Sequence, residues 1–302
     1  MTPPNGSVVV GIMAYNEAAN ISRTLRSIQD QTIGARIARI IVVASGCTDA
    51  TCAIVAGMAA ADPRIVLVEE RVRAGKTAAI NTFLGAIREA IVVIPSADLI
   101  LEPATLERLI APLDDPRVGM VGAHPVPTNA PNTFIGFAVG LMWELHHRIA
   151  SQQPKMGELV AFRNQLGSLD ASVLSDELSV ENQIRAAGLR VAYAADARVY
   201  NHGPETLREF VAQRERWCAA NMQIERDFTT RVSTLSFRNV LRAVRGLLIE
   251  TRPRLDWLLL AALLEGWCRL RAYVNLAIMR RSDRYRVWEP LRSTKTVAPK
   301  KS

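Results

Sequence analysis

Four short apolar runs alternate with helical stretches in the first hundred residues, and this restricts the fold more than any other feature of the chain. The runs are SVVVGIMA (7–14), ARIIVVA (38–44), RIVLVEE (64–70) and AIVVIPS (90–96). They are rich in Val and Ile with little polar alternation, as expected of strands covered on both faces. Helices are predicted between them over 17–29, 48–61 and 76–89. Right-handed crossovers between parallel strands bring the strand C-terminal ends to one edge, where ligands bind. Function is therefore to be sought in the residues just after each strand.

The later part is less regular. A strand is predicted at 118–126, a helix at 133–151, extended segments at 157–163 and 190–200, and a helix at 177–187 between them. Gly203-Pro204 reads as the opening of another helix, with Pro at its first position. The chain divides into a catalytic-sized unit, 1–230, and a basic C-terminal segment, 231–302, with two apolar helical stretches. That segment holds thirteen Arg and three Lys against five acids, so the net charge of +8 resides there. Basic residues mixed with apolar runs point to an anionic membrane surface, and no nucleic-acid-binding motif is present. The four cysteines form no CxxC pair or framework, which suits a reducing compartment. The first residues, MTPPNGSVVV, lack the charged and apolar pattern of a signal peptide.

Two phosphate motifs are excluded. A dinucleotide fold needs GxGxxG after the first strand, where only Gly11 is found. RVRAGKT ends like a P-loop, but the first glycine of that motif would fall on Glu70. Gly75-Lys76 still presents backbone N–H groups and a cation between strand and helix. Asp98, after the fourth strand, is placed either to cap a helix or turn or to hold Mg²⁺ or Mn²⁺ on a diphosphate. In FVAQRERWCAA (210–220), Gln213, Arg216 and Trp217 fall on one helical face.

In order, AYNE (14–17), SGCTDAT (45–51), RAGKTAAIN (73–81), SAD (96–98), SDE (175–177) and QRERW (213–217) resemble family 2 glycosyltransferases. The QxxRW motif is similar to that of the branch with cellulose, chitin and hyaluronan synthases. The resemblance implies an α/β fold of the GT-A type, with a mostly parallel sheet covered by helices on both faces. A C-terminal helical, membrane-proximal segment would be added to it. It implies an inverting transfer from a nucleotide-diphosphate sugar to a hydroxyl of a sugar, lipid-linked or polysaccharide acceptor, with Mn²⁺ or Mg²⁺.

By the same resemblance, Ala14, Tyr15, Asn16, Glu17, Ser45, Asp49, Lys76 and Ser96 would bind the donor. Asp98 would hold the metal, with His202 as an added ligand. Glu177 would be the general base and Asp176 the second choice. Gln213, Arg216 and Trp217 would meet acceptor and diphosphate, Trp217 stacking on the acceptor sugar. Trp288, Thr294 and Lys295, within VWEPLRSTK (287–295), would belong to a gating segment. Three positions depart from the family pattern: Ala44 and Ser45 replace a pair of aspartates, Ser96 replaces the first metal-motif aspartate, and Asp176-Glu177 has its acids exchanged. The rival readings are a nucleotidyltransferase of the same fold and a non-catalytic scaffold. RLDWLLLAALLEGWCRLRAYVNLAIMRR (254–281) is interrupted by Glu265, Arg269 and Arg271, each costly at a bilayer centre. The expectation is therefore peripheral attachment at the cytoplasmic face, with a single spanning helix near 255–279 as the alternative.

Overall fold

The computed structural model describes residues 6–170, 173, 175–228, 232–251, 254–278 and 293–295. The first half follows the predicted alternation: β1 (Val8–Ala14), α1 (Ile21–Gln29), β2 (Ile37–Ser45), α2 (Thr51–Ala61), β3 (Ile65–Glu70), α3 (Lys76–Gly85) and β4 (Ile91–Pro95). After these come β5 (Ile100–Leu101), α4 (Thr105–Ile110), β6 (Val118–Pro127), α5 (Phe134–Ala150), β7 (Leu159–Arg163), α6 (Asp176–Ala186) and β8 (Arg190–Asn201). The C-terminal layer is α7 (Leu207–Phe228), α8 (Phe237–Thr251) and α9 (Leu255–Tyr273).

One sheet runs β3-β2-β1-β4-β7-β6-β8-β5. β1 to β4 are mutually parallel where they pair, and β7 enters antiparallel to both β4 and β6. This is the mostly parallel α/β architecture that the sequence predicts. Alternate residues of β1 serve opposite cores, because successive strand side chains point to opposite faces. Val8, Val10 and Ile12 pack with Leu25 and Ile28 of α1, while Val9 packs with Ile80 and Phe83 of α3. Gly11 is obligatory there, since a Cβ would meet the Phe83 ring at 2.5 Å.

Three helix starts differ from expectation. α1 begins at Ile21, after a turn in which Asn20 N and Ile21 N donate to the Glu17 carbonyl (2.9 Å each). α2 begins at Thr51, because Asp49 Oδ1 accepts from Thr51 N (3.0 Å) and closes a turn ahead of the helix. α7 begins at Leu207, beyond Pro204. Thr206 Oγ1 accepts from Glu209 N (3.3 Å) and donates to the Glu209 carboxylate (3.0 Å), a side-chain N-cap that sets the start beyond the proline.

The C-terminal layer is turned inside out. Leu255, Leu259, Leu263, Leu270 and Trp267 of α9 are exposed, as are Phe237, Leu241 and Ile249 of α8. Three charges of α9 reach protein partners: Glu265 pairs with Arg214 of α7 (2.8 Å) and with Arg269 (2.9 Å), and Arg271 pairs with the buried Glu215 (2.8 Å). Among the described residues no helix is long and apolar enough to cross a membrane.

Candidate active site

The parallel strands deliver their following loops to one edge, and two of these loops are tied together by polar contacts. Asn16 adopts a left-handed backbone (φ 52°), which Asn tolerates better than most residues. Thr48 N donates to Asn16 Oδ1 (2.8 Å), Glu17 N to Thr51 Oγ1 (2.8 Å) and Ala18 N to Asp49 Oδ2 (3.0 Å). Burial would raise the Asp49 carboxyl, but the Thr51 hydroxyl and backbone N–H groups outweigh it and hold it low. Asn16 and Asp49 brace the two loops and are not among the residues lining the pocket. Ala14, Tyr15, Glu17, Ser45, Lys76 and Ser96 do line it.

Gly75 (φ 99°) makes the turn that starts α3 at Lys76, a conformation that a side chain would strain. Lys76 Nζ reaches Asp176 Oδ2 (2.8 Å) and Glu177 Oε1 (3.2 Å) in the first turn of α6, where the helix N-terminus favours anions. Burial opposes the Lys76 charge, but the two carboxylates prevail and raise its pKa. Burial and the Glu177 charge push the Asp176 carboxyl up. For Glu177 burial acts in the same upward sense, yet the Lys76 charge and a backbone N–H hold the carboxyl below its ordinary value. Glu177 is the more accessible of the pair, its side chain 27% exposed against 11% for Asp176. Arg216 faces the same carboxylates from α7; burial lowers its pKa against their pull.

Three residues here escaped the sequence reading. Arg73 lies over the Tyr15 ring, 3.7 Å from its centroid. Lys155, 5% exposed, lines the pocket near Glu177, and burial lowers its ammonium pKa. Glu158 accepts from Ser96 Oγ (2.8 Å), and burial raises its carboxyl. Their signal was weak because each depends on pairing between distant strands or loops.

The pocket is about 790 Å³ and continues from these charges between α5, α7, α8 and α9. Gln213, Arg216 and Trp217 line it together, as their spacing required, while Glu215 and Cys218 turn toward α9. The Arg214 guanidinium sits 4.3 Å from the Trp217 ring centroid. Asp98 also lines the pocket. His202 lines it too, but both ring nitrogens are engaged, Nδ1 with Thr128 Oγ1 (2.9 Å) and Nε2 with Glu205 (3.0 Å). Ligating a metal would require it to give up one of these partners.

Of the expected gating segment, 287–292 lies outside the described residues, Trp288 included, as does the Lys295 side chain. Ser293 binds the Glu209 carboxylate (2.7 Å), and the Thr294 carbonyl accepts from Asn20 Nδ2 (3.1 Å) with Thr294 lining the pocket.

Comparison with known proteins agrees with this fold. Among solved structures, the mannosyltransferase PcManGT from Pyrobaculum calidifontis, in complex with GDP-Man and Mn²⁺, superimposes with a TM-score of 0.63. The two are 24% identical over 91% of this chain and 87% of that one, a likeness of fold. No curated protein matches the chain in sequence. The model of the family described as glycosyltransferase like family 2 matches residues 3–220, across the sheet and into α7. The chain belongs to this family of glycosyltransferases.

Proposed function

We propose that the protein transfers a sugar from a nucleoside-diphosphate donor to an acceptor hydroxyl, with inversion at the anomeric carbon. The reading rests on the convergence of Lys76, Asp98, the Asp176–Glu177 pair, Arg216 and Trp217 on one pocket from four separate segments. Trp217 offers an indole face for sugar C–H groups, and Arg216 a guanidinium for phosphate. Glu177 takes the proton from the acceptor hydroxyl, because its carboxylate is the accessible one. When Lys76 turns to the incoming diphosphate, Glu177 loses a counter-charge and becomes more basic. Asp176, nearer Lys76, keeps the lysine aimed across the site.

A divalent cation fits the residues present. Six Asp or Glu and six Lys or Arg residues line the pocket, so a diphosphate arrives with no net positive charge to meet it. The oxygen donors Asp98 and Ser96 suit Mn²⁺ or Mg²⁺, and among the described residues no group of three or more His, Cys, Asp or Glu could hold the ion alone. Asp98 would hold it, and the diphosphate would complete its shell. Bound there, the cation would stabilise the charge that develops on the leaving diphosphate.

The acceptor in this reading carries an apolar part, for the pocket runs from the carboxylates to Phe237, Val240 and Leu258. Peripheral attachment to an anionic membrane surface is part of this reading, supported by the exposed leucines of α8 and α9 and the exposed Arg238, Arg242 and Arg245. The test is release of nucleoside diphosphate from a panel of UDP- and GDP-sugars, GDP-mannose included, with Mn²⁺. Chelator-sensitive turnover on one donor is expected. Donor binding without turnover under every condition would favour the scaffold alternative.

A further inference from the structure

We propose that Glu158 supplies the second metal-binding carboxylate of this site, in place of the aspartate that position 96 lacks. The inference rests on the transfer reading above and concerns a residue outside the recognised motifs.

β4 and β7 are antiparallel neighbours with Pro95 opposite Leu159. The next pair outward is Ser96 and Glu158, joined by Ser96 N donating to the Glu158 carbonyl (3.0 Å). Residues directly opposite each other across strands send their side chains to the same face. Glu158 uses this geometry: its carboxylate folds over Ser96 and accepts from Ser96 Oγ at 2.8 Å. An aspartate at 96 would place its carboxylate in the volume that the longer glutamate now reaches from the facing strand. Both residues line the pocket together with Asp98, two positions after Ser96. The carboxylate has changed strands without leaving the site.

Structural duty alone does not account for this acid. A hydroxyl at 96 needs only a neutral acceptor, which Gln would supply without bringing a third acid beside Asp176 and Glu177. The same pocket is also lined by a residue with an unpaired hydroxyl. Ser45, 5% exposed, has its hydroxyl buried without a hydrogen-bond partner among the described residues. A hard oxygen donor pair, one acid from β4's end and one from β7's start, suits a cation that also takes diphosphate oxygens.

The experiment measures Mn²⁺ binding by electron paramagnetic resonance on the full chain, with and without inorganic pyrophosphate. Glu158→Gln keeps an acceptor for Ser96 and should weaken Mn²⁺ binding about 10-fold or more. Ser96→Asp combined with Glu158→Gln should restore it, since the carboxylate returns to the motif position. Wild-type affinity in Glu158→Gln, with Asp98→Asn weakened, would overturn this proposal and leave the metal reading of Asp98 intact. Wild-type affinity in both would overturn both. Anomalous diffraction from crystals with Mn²⁺ and pyrophosphate gives a readout independent of the variants. A peak at about 2.1 Å from a Glu158 oxygen is expected, and a peak bonded to Asp98 but remote from Glu158 would refute the assignment.

Discussion

Leu25 of α1 is fully buried, whereas Leu263 of α9 is 63% exposed. Charges show the reverse. At the sheet edge Lys76, Asp176 and Glu177 meet in the wall of an open pocket. In the helical layer, Arg214 is buried against Glu265, and Glu215 is buried against Arg271 and Asn275. The sheet half buries its apolar residues and gathers a cluster of charge at the pocket. The helical layer uses buried charge to dock its helices and leaves apolar surface outside. If this contrast is right, acids in the two regions fail in different ways when neutralised.

The largest effect is expected at the sheet edge. Glu177→Gln should lower kcat by about 10²–10⁴ while donor binding and the melting temperature stay near wild type. Steady-state kinetics beside a calorimetric melt would check both halves of the statement. A crippled Asp176→Asn beside an active Glu177→Gln would reverse the two roles.

The two leucines give the next test. Leu25→Ala opens a cavity in the core under β1 and should cost about 2–5 kcal/mol in denaturant titration. Leu263→Ala removes no packed neighbour layer and should stay within about 0.5 kcal/mol. Similar losses at both positions would mean that α9 is covered in solution.

Glu265→Gln should behave as a stability mutation. It strands the Arg214 guanidinium, whose side chain is only 8% exposed, and should cost about 3 kcal/mol or more. Burial alone would raise the Glu265 carboxyl, but Arg214 and Arg269 hold it down to about 2. Its folded value lies below its unfolded value. The stabilisation is therefore complete above the ordinary glutamate range and is lost as pH falls from about 4.5 toward 2. Melts of wild type and Glu265→Gln should converge over that window. A constant gap down to pH 2 would refute the ion-pair account.

Much of this was legible in the sequence for a physical reason. β1 to β4 are continuous Val- and Ile-rich runs, so strand identity and sheet class followed from local pattern. The spacing of Gln213, Arg216 and Trp217 fixed their common face once the helix formed. What escaped was non-local. Glu158 matters only because β7 pairs with β4 in a register that sets it against Ser96. Arg73 matters because its loop returns to Tyr15. The charges interrupting the apolar run of α9 were visible, but not their direction. The partner of Glu265 lies 51 residues away on α7, so periodicity within α9 could not reveal which face is inward.

That direction sharpens the last prediction, which has the smallest expected effect on stability. A spanning helix would be opposed by Glu265, Arg269 and Arg271, and these three face protein partners instead of lipid. The face left outward carries Leu255, Leu259, Leu263 and Trp267, with Arg254 near its start. Such a face suits shallow insertion among headgroups, where apolar side chains enter the acyl boundary and arginines meet anionic lipid. Leu259→Ser with Leu263→Ser should change the melting temperature little, since neither side chain is packed. It should reduce flotation with vesicles containing phosphatidylserine or phosphatidylglycerol. Wild-type flotation should weaken as salt rises, because the arginine contribution is screened over about 8–10 Å at ordinary ionic strength. Flotation that survives both substitutions would move the contact elsewhere on the basic segment. A wild-type protein that never floats would assign the exposed leucines to a protein partner, and the acceptor would then need no lipid.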